Sequence, residues 1–206
     1  MSKNILLNFK RKQVNIPQVY THYIICVVIT AGCIIAFSLL SCKNSNEVAK
    51  NISLMQSRNI ILPIDSMKSV FAGQTTDQQT PKWKLVAFYD MFDCTECSIK
   101  KFDAMWSPML NLEQESDDQL QFIFVFSPQR QNSRQVEESL QKIQFNHVIY
   151  LDTTGLFLQN NPHIPNLEVY HTFLTNEHDS VVLVGNPAQN EQIRQIMLDI
   201  IGIKTI

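Results

Sequence analysis

The sequence predicts an α/β sandwich, with a mainly parallel central sheet, an antiparallel C-terminal hairpin and helices on both faces. From residue 84 onward, short continuous apolar runs alternate with segments whose apolar residues recur at helical spacing. That alternation is typical of parallel strands joined by helices. Near the C-terminus, two apolar runs stand only three residues apart, which indicates a hairpin at one edge of the sheet.

The predicted strands are continuous apolar runs bounded by charged or turn-forming residues. The run KLVAFYD is typical of a strand that is buried on both faces. The segment IILP is predicted to be a short edge strand, because proline is tolerated at sheet edges. In chain order, the predicted strands are residues 60–63, 84–90, 120–127, 147–152, 168–175 and 179–186.

Three predicted helices carry apolar residues on one side. Residues 95–106 place Ile99, Phe102, Met105 and Trp106 at helical spacing, and Pro108 is expected to kink or end that helix. Residues 133–144 carry the stripe Val136, Leu140 and Ile143. Residues 191–201 form the last predicted helix, and Gly202 is a natural residue to terminate it. Residues 73–82 have the composition of a loop.

The N-terminal segment predicts export. Four basic residues precede the uncharged apolar run of residues 23–40, which is the pattern of an export signal. The run ends in Leu39-Leu40-Ser41-Cys42, which resembles the lipobox of bacterial lipoproteins, so that cleavage before Cys42 and lipidation of its sulfur are implied. The alternative is an uncleaved anchor helix, since about 18 apolar residues are just enough to span a bilayer.

Both alternatives place the rest of the chain outside the cytoplasm and attached to a membrane, and the basic flank gives the same orientation. We therefore divide the chain into a signal peptide or anchor (residues 1–41), a flexible tether (residues 42–58) and a folded domain (residues 59–206). The tether prediction depends on the Asn-, Ser- and Lys-rich composition after Cys42, which has no apolar period.

Composition excludes several classes of function. Lys and Arg number 17 against 19 Asp and Glu, for a formal net charge of −2, so the chain lacks the basic surface of a nucleic-acid-binding protein. The sequence contains no NADPH, flavin or phosphate-loop motif, and we expect no bound cofactor.

The cysteines leave one candidate site. Of the five, Cys26 and Cys33 lie in the apolar run and Cys42 would be lipidated, so only the CxxC pair Cys94 and Cys97 remains in the exported part. A zinc site built on three or four thiolates is therefore excluded, and a metal site would have to recruit histidine. A disulfide that closes so small a loop constrains the unfolded chain little, so a purely structural bond is a poor explanation.

A redox couple fits the position of the pair better. Cys94 follows a predicted strand and is expected at the first turn of the next helix, where free amides and the helix dipole stabilise a thiolate. Cys94 would then attack a substrate disulfide, and Cys97, deeper in the helix, would resolve the mixed disulfide. Asp90, Asp93 and Glu96 oppose thiolate formation, which favours a reductant over a strong oxidant.

Residues 60–202 resemble the thioredoxin-like fold. The CxxC pair lies at a predicted strand-to-helix junction, as it does in that family. The later segment HTFLTNEHDSVVLVGNP resembles the family's hairpin, which is usually written PTTFLID. Within that fold, the chain resembles membrane-tethered, exported bacterial proteins such as the TlpA and ResA types. This resemblance implies a substrate groove at Tyr170, His171 and Thr172, with Tyr170 where the family has a cis-proline. The chain departs from the family there, and also at Asp93, where the family usually has an aromatic residue.

These observations predict a membrane-tethered thiol:disulfide oxidoreductase that faces the periplasm or the exterior and reduces disulfides of exported proteins. Its electrons would come from a membrane donor. The alternative is a redox-inactive interaction module that keeps the fold. A copper site formed by the two cysteines and His171 is a weaker alternative, because related copper proteins separate their cysteines by three residues rather than two.

Overall fold

The computed structural model describes residues 23, 46–70, 81–90, 96–128, 132–143 and 145–203, without the side chains of residues 96–98. The chain divides into two compact units, residues 1–48 and 49–206. Only residues 23 and 46–48 of the first unit are described, so the fold discussed below is that of the second.

A six-stranded sheet forms the centre of the described part of the chain, in the order β1-β4-β3-β2-β5-β6. Strands β2, β3 and β4 are parallel, whereas β1, β5 and β6 pair antiparallel to their neighbours. The predicted α/β sandwich is confirmed, but parallel pairing is confined to the three central strands. The bounds are β1 Lys68–Val70, β2 Trp83–Asp90, β3 Leu120–Ser127, β4 Ile149–Leu151, β5 Thr172–Thr175 and β6 Val181–Val184.

The three predicted helices are all present, although the second ends four residues early, at Leu140. Three further helices, over residues 46–55, 112–115 and 156–160, were not predicted. From residue 46 onward, the α-helices of the described part of the chain are α1 (residues 46–55), α2 Glu96–Trp106, α3 Leu112–Glu115, α4 Ser133–Leu140, α5 Leu156–Asn160 and α6 Glu191–Ile201. As expected, α2 ends before Pro108, which lies in a short 3₁₀ helix, Ser107–Met109.

Alternation along the strands divides the core into two layers. Phe122, Phe124 and Phe126 of β3 face one layer, which also contains apolar residues of α2, α4 and α6. Ile123 and Val125 face the other layer, which α5 and the end of α1 help to cover. The Phe-rich strand is therefore buried on both faces.

The prediction of an edge strand at residues 60–63 is wrong, because these residues are in irregular conformation and the edge strand is β1. A side chain rather than a strand satisfies the backbone of Ile61: the Asn161 amide accepts from its N–H and donates to its carbonyl, both at 2.8 Å. The amide of Ile60 donates to the carbonyl of Asp179 at 2.8 Å. These contacts replace the ladder that the apolar run suggested.

Part of the predicted tether is folded. Residues 46–55 are helical, and Met55 at the end of this helix is fully buried against the core together with Ile52. The folded part of the chain therefore begins before residue 59. Ile52 and Met55, one helical turn apart, attach an otherwise polar helix to the core. Two apolar residues are too few to give a helical period that could be recognised in the sequence.

The predicted export signal and lipidation site lie outside the described residues, apart from Tyr23. Within the described ranges, no helix has the length and apolar character needed to cross a bilayer. The signal peptide, the lipidation of Cys42 and the periplasmic or exterior location stay predictions.

Candidate functional site

The CxxC pair lies between the end of β2 and the beginning of α2. Strand β2 ends at Asp90, which pairs with Ser127 at the end of the parallel strand β3. Helix α2 begins at Glu96, so Cys97 is its second residue. Cys94 lies outside the described residues, as does the side chain of Cys97. The predicted strand before the motif and the predicted helix after it are both present. The predicted position of Cys94 at the first turn of that helix stays a prediction.

Helix α2 is attached to β2 by a buried polar contact. The indole N–H of Trp106 donates a hydrogen bond to the hydroxyl of Tyr89 at 2.6 Å, and Trp106 is fully buried. The ring of Tyr89 meets Phe102 edge to face, with centroids 5.5 Å apart, and stacks on Phe126 at 4.8 Å. Burial raises the pKa of the Tyr89 hydroxyl well above its ordinary value, so it stays protonated. These contacts hold the helix that carries Cys97 on the strand that leads to it.

The segment before β5 lies against the same end of β2. A strand was predicted from residue 168, but Glu168–Tyr170 forms a 3₁₀ helix and β5 begins at Thr172. The amide of His171 donates to the carbonyl of Glu168 at 3.0 Å, which closes this turn. The carbonyl of His171 accepts from the amide of Phe88 at 2.8 Å. The turn is thereby fixed beside β2, two residues before its end.

The three residues predicted to line a substrate groove are all buried, and none exposes more than 8% of its surface. The hydroxyl of Tyr170 accepts a hydrogen bond from the Asn51 amide at 3.1 Å, and its ring packs in the core. Thr172 pairs with Ala87 of β2. A substrate groove at these residues stays a prediction.

His171 has a defined orientation. Its Nε2 lies 3.2 Å from the carbonyl oxygen of Pro165, and its ring meets Phe88 edge to face, with centroids 5.1 Å apart. Burial lowers the pKa of the imidazole, and this effect is partly opposed by the bond to Pro165 and by the charges of Asp90 and Glu168. Burial thus favours the neutral imidazole.

Two exposed apolar residues adjoin this turn. Leu167 is 55% exposed and Val169 is 67% exposed, on either side of Glu168. Neither was identified from the sequence as a surface residue, since Val169 falls in the predicted strand 168–175 and Leu167 directly precedes it. Together with the exposed Glu168 between them, they form a small exposed patch next to the buried Tyr170.

Other acidic and metal-binding groups are already engaged or dispersed. Asp152, at the end of β4, is only 1% exposed, and its carboxylate accepts hydrogen bonds from the amides of Leu156 and Phe157 at the start of α5. Its role is to cap that helix. In the described ranges, which exclude both thiols, no group of three or more His, Cys, Asp or Glu residues is placed to hold a metal ion.

Comparison with known proteins finds no matching family model and no matching curated protein. Several solved structures resemble the chain at low identity. A candidate DsbE thiol:disulfide interchange protein of Chlorobium tepidum is 15% identical, with a TM-score of 0.44 over 59% of this chain and 82% of its own. A thioredoxin-like protein in the oxidized form is 13% identical, with a TM-score of 0.47 over 73% of this chain and 99% of its own. A thioredoxin-like protein of Porphyromonas gingivalis is 15% identical, with a TM-score of 0.40 over 65% of this chain and 85% of its own.

Proposed function

We propose that the protein is a membrane-tethered, extracytoplasmic thiol:disulfide oxidoreductase that reduces disulfides of exported proteins. The observation that carries this proposal is the position of the CxxC motif between the end of the central parallel strand β2 and the first turn of α2, where Cys97 is the second helical residue. Free amide groups at a helix start favour a thiolate. A pair of thiols separated by two residues is suited to form and break one disulfide.

The reaction transfers two electrons from the enzyme to its substrate. The Cys94 thiolate attacks one sulfur of the substrate disulfide, forming a mixed disulfide and releasing the other substrate sulfur as a thiolate, which takes up a proton. Cys97 then loses its proton and attacks Cys94, which releases the second substrate sulfur, also to be protonated. The substrate ends as a dithiol, and the enzyme ends with a Cys94–Cys97 disulfide.

Turnover requires a dithiol donor to reduce that disulfide again. We propose a membrane protein as the donor, because the sequence has no nicotinamide or flavin motif and the predicted tether keeps the domain near a membrane. The direction of transfer follows from local charge. Asp90, Asp93 and Glu96 surround the pair in sequence and disfavour the thiolate form, which makes the dithiol the better reductant.

A turnover assay with variants of the two thiols tests this function. The full-length chain in detergent would be mixed with insulin, with dithiothreitol in place of the membrane donor, and insulin reduction would be followed over time. Cys94→Ser and Cys97→Ser should each abolish the acceleration, and Cys97→Ser should also accumulate a mixed disulfide with insulin. Cys33→Ser, in the predicted apolar segment, is the matched control and should keep full activity. An active Cys94→Ser variant would refute the proposal.

A redox-inactive interaction module is the second candidate. The exposed apolar residues Leu167 and Val169, on either side of the exposed Glu168, favour it. Partner capture from membrane extracts separates the two functions. An interaction module should keep its partners in the Cys94→Ser variant and lose them in a Leu167→Ser, Val169→Ser double variant. An oxidoreductase should lose its covalently captured partners in the Cys94→Ser variant.

A further inference from the structure

His163 is a buried histidine whose polar atoms have no partner among the described residues. It is 6% exposed, and neither ring nitrogen makes a hydrogen bond to a described residue. Buried polar atoms are nearly always paired in folded proteins, because an unpaired one costs free energy. A proton on this ring would add a buried charge to that cost. The position therefore resists protonation as long as the structure around it stays closed.

His163 lies where two segments of the chain meet. One is the connecting segment, residues 56–62, which joins α1 to the rest of the domain. The other follows α5 and contains Asn161, whose amide group binds both backbone groups of Ile61 at 2.8 Å. The guanidinium of Arg58 in the connecting segment acts on the charge of the His163 ring. The imidazole is thus buried at the interface that keeps the connecting segment in place.

Little apolar surface holds the connecting segment. Ile60 is its one buried residue, and the amide of Ile60 donates to the carbonyl of Asp179 at 2.8 Å. Gln56 and Asn59 share further hydrogen bonds with the β5–β6 hairpin. Parts of a protein with little buried apolar surface open at a lower free energy than the core. The connecting segment can therefore open while the sheet stays folded.

Charge at this interface opposes a proton on His163. Burial lowers the pKa of the imidazole, and the nearby positive charge of Arg58 lowers it further. Contact with the Arg58 backbone, the smallest of the three effects, acts in the opposite direction. Residues 156–167, which comprise α5 and the segment after it, contain no Asp or Glu, and neither does the connecting segment. An imidazolium here would face a second cation without a carboxylate from either segment.

The carboxylates of the neighbouring elements are directed elsewhere. Asp179, whose backbone binds the connecting segment, has its carboxylate 2.6 Å from the ammonium of Lys84. Asp152 accepts hydrogen bonds from amides at the start of α5. Among the described residues, the charge that acts on His163 is accordingly that of Arg58.

We propose that His163 is a pH switch that controls whether the connecting segment is closed on the domain. At neutral pH the ring is uncharged and the segment stays closed. In acid, His163 takes up a proton from the solvent, and the segment opens so that water can hydrate the imidazolium. Opening separates Asn161 from the backbone of Ile61 and loosens the attachment of α1 to the sheet. The switch does not require the thiol chemistry proposed above.

Acid favours the open state because that state binds more protons. In the open state the imidazole is hydrated and its pKa returns to about 6.5, whereas in the closed state its pKa is lower. The ratio of open to closed molecules should therefore be constant above about pH 7.5 and should rise below about pH 6.5, by at most ~10-fold per pH unit for one proton.

Hydrogen exchange of the full-length chain in detergent measures this opening directly. The amides of Ile60 and Ile61 report it, because their hydrogen bonds are made across the interface. Exchange is followed by mass spectrometry at pH 5.5, 6.5 and 7.5 and corrected for the intrinsic exchange rate, and a peptide from β3 reports global unfolding. We expect the peptide with Ile60 and Ile61 to be less protected than β3 at every pH. Its protection should fall by about 3- to 10-fold between pH 7.5 and 5.5.

Two histidine variants assign the effect. His163→Gln removes the titrating ring, so the connecting segment of this variant should show the same corrected protection at pH 5.5 and 7.5. His171→Gln is the matched control and should keep the wild-type loss, because His171 is also buried but its Nε2 is already hydrogen-bonded to Pro165. A loss of protection that persists in His163→Gln, or a connecting segment that exchanges only together with β3, would overturn the proposal.

Variants of Arg58 keep the test decisive if His163→Gln does not fold. Arg58 is exposed, so Arg58→Gln removes the charge without disturbing the core. With the repulsion gone, an imidazolium costs less in the closed state, and acid should cause a smaller loss of protection than in the wild type. Arg58→Lys keeps the charge and should respond as the wild type does. An equal or larger loss in Arg58→Gln would contradict the proposal.

Discussion

The ring of His171 lies against the ring of Phe88, and the amide of Phe88 donates a 2.8 Å hydrogen bond to the His171 carbonyl. One residue pair thus connects β2, which leads to the CxxC motif, with the turn that precedes β5. The same turn exposes Leu167 and Val169 while burying Tyr170 and His171. The candidate site is accordingly a junction of one strand, one helix start and one turn, with a buried imidazole beside them.

Stability should fall in mild acid because of two buried histidines. Burial lowers the pKa of both His163 and His171, and the charge of Arg58 contributes at His163. The unfolded chain, with histidine pKa near 6.5, therefore binds more protons than the folded chain. The free energy of unfolding should be constant above about pH 7.5 and decrease as the pH falls through about 6.5.

Urea unfolding at pH 5, 6, 7 and 8 measures this dependence. A His163→Gln, His171→Gln double variant should lose part of the decrease, since the carboxylates titrate equally in both proteins. The values at pH 8 serve as the internal reference, because both imidazoles are then neutral in the folded and unfolded states. Parallel pH curves for the wild type and the double variant would show that these two histidines do not cause the loss of stability in acid.

Removing the hydroxyl that holds α2 should destabilise the domain. Tyr89→Phe leaves the fully buried Trp106 indole N–H without the acceptor that lies 2.6 Å away. An unsatisfied buried donor costs ~1–3 kcal/mol, so the free energy of unfolding should fall by about that amount in urea titration. Tyr150→Phe, a half-buried tyrosine on β4, is the control and should have a smaller effect. Equal effects of the two substitutions would argue against the Trp106 contact.

Asn161 should be the most sensitive asparagine of its segment. Its amide group makes three hydrogen bonds of 2.8 Å, two with the backbone of Ile61 and one with the carbonyl of Phe157. Asn161→Ala leaves the N–H and the carbonyl of Ile61 without these partners, whereas the Phe157 carbonyl still accepts from the Asn161 backbone amide at 3.1 Å. The substitution should cost ~1–3 kcal/mol. Asn160→Ala changes the exposed neighbour and should stay within about 0.5 kcal/mol of the wild type.

The hairpin turn between β5 and β6 combines an ion pair with a left-handed residue. Asp179 has φ of 61° and its carboxylate lies 2.6 Å from the ammonium of Lys84, whose side chain is 13% exposed. Asp179→Asn removes the charge, and asparagine tolerates this positive φ. Asp179→Ala loses the charge as well and should cost ~1–2 kcal/mol more, because alanine disfavours this conformation.

Unfolding titrations of Asp179→Asn, Asp179→Ala and Asp179→Gly should separate the contribution of the ion pair to stability from that of the backbone conformation. Glycine accepts a positive φ without strain, so Asp179→Gly should lie closer to Asp179→Asn than to Asp179→Ala. An alanine variant as stable as the asparagine variant would show that the backbone strain at this turn is absent.

Long apolar runs and helix ends were predictable from sequence because their signals are local. Residues 120–127 form β3 with the predicted bounds, and their phenylalanines fill one layer of the core. Helix α6 also has its predicted bounds. Asn190 caps it by accepting from the amides of Gln192 and Ile193, and Gly202 ends it with φ of 83°. In both elements the signal is local: a run of apolar residues marks the strand, and an asparagine and a glycine mark the ends of the helix.

The errors arose where distant residues decide the local conformation. Ile60–Pro63 resembles a strand, but Asn161, one hundred residues later, binds the backbone of Ile61 in place of a neighbouring strand. Similarly, Leu167 and Val169 are exposed and Tyr170 is buried, because the segment forms a 3₁₀ turn and not the predicted strand. The CxxC junction was predictable from the order of strand and helix, whereas the burial of His171 and its bond to Pro165 required the tertiary structure.

The most direct test of the proposed chemistry is a redox titration of the full-length chain. The protein is equilibrated with defined ratios of reduced and oxidised dithiothreitol, quenched with an alkylating agent and analysed by mass spectrometry of the peptide that contains Cys94 and Cys97. We predict one reversible two-electron transition at a potential more negative than about −200 mV, in the range of reducing dithiols. A pair that never closes into a disulfide, or one with a potential near −120 mV, in the range of strong oxidants, would contradict the reductase proposed here.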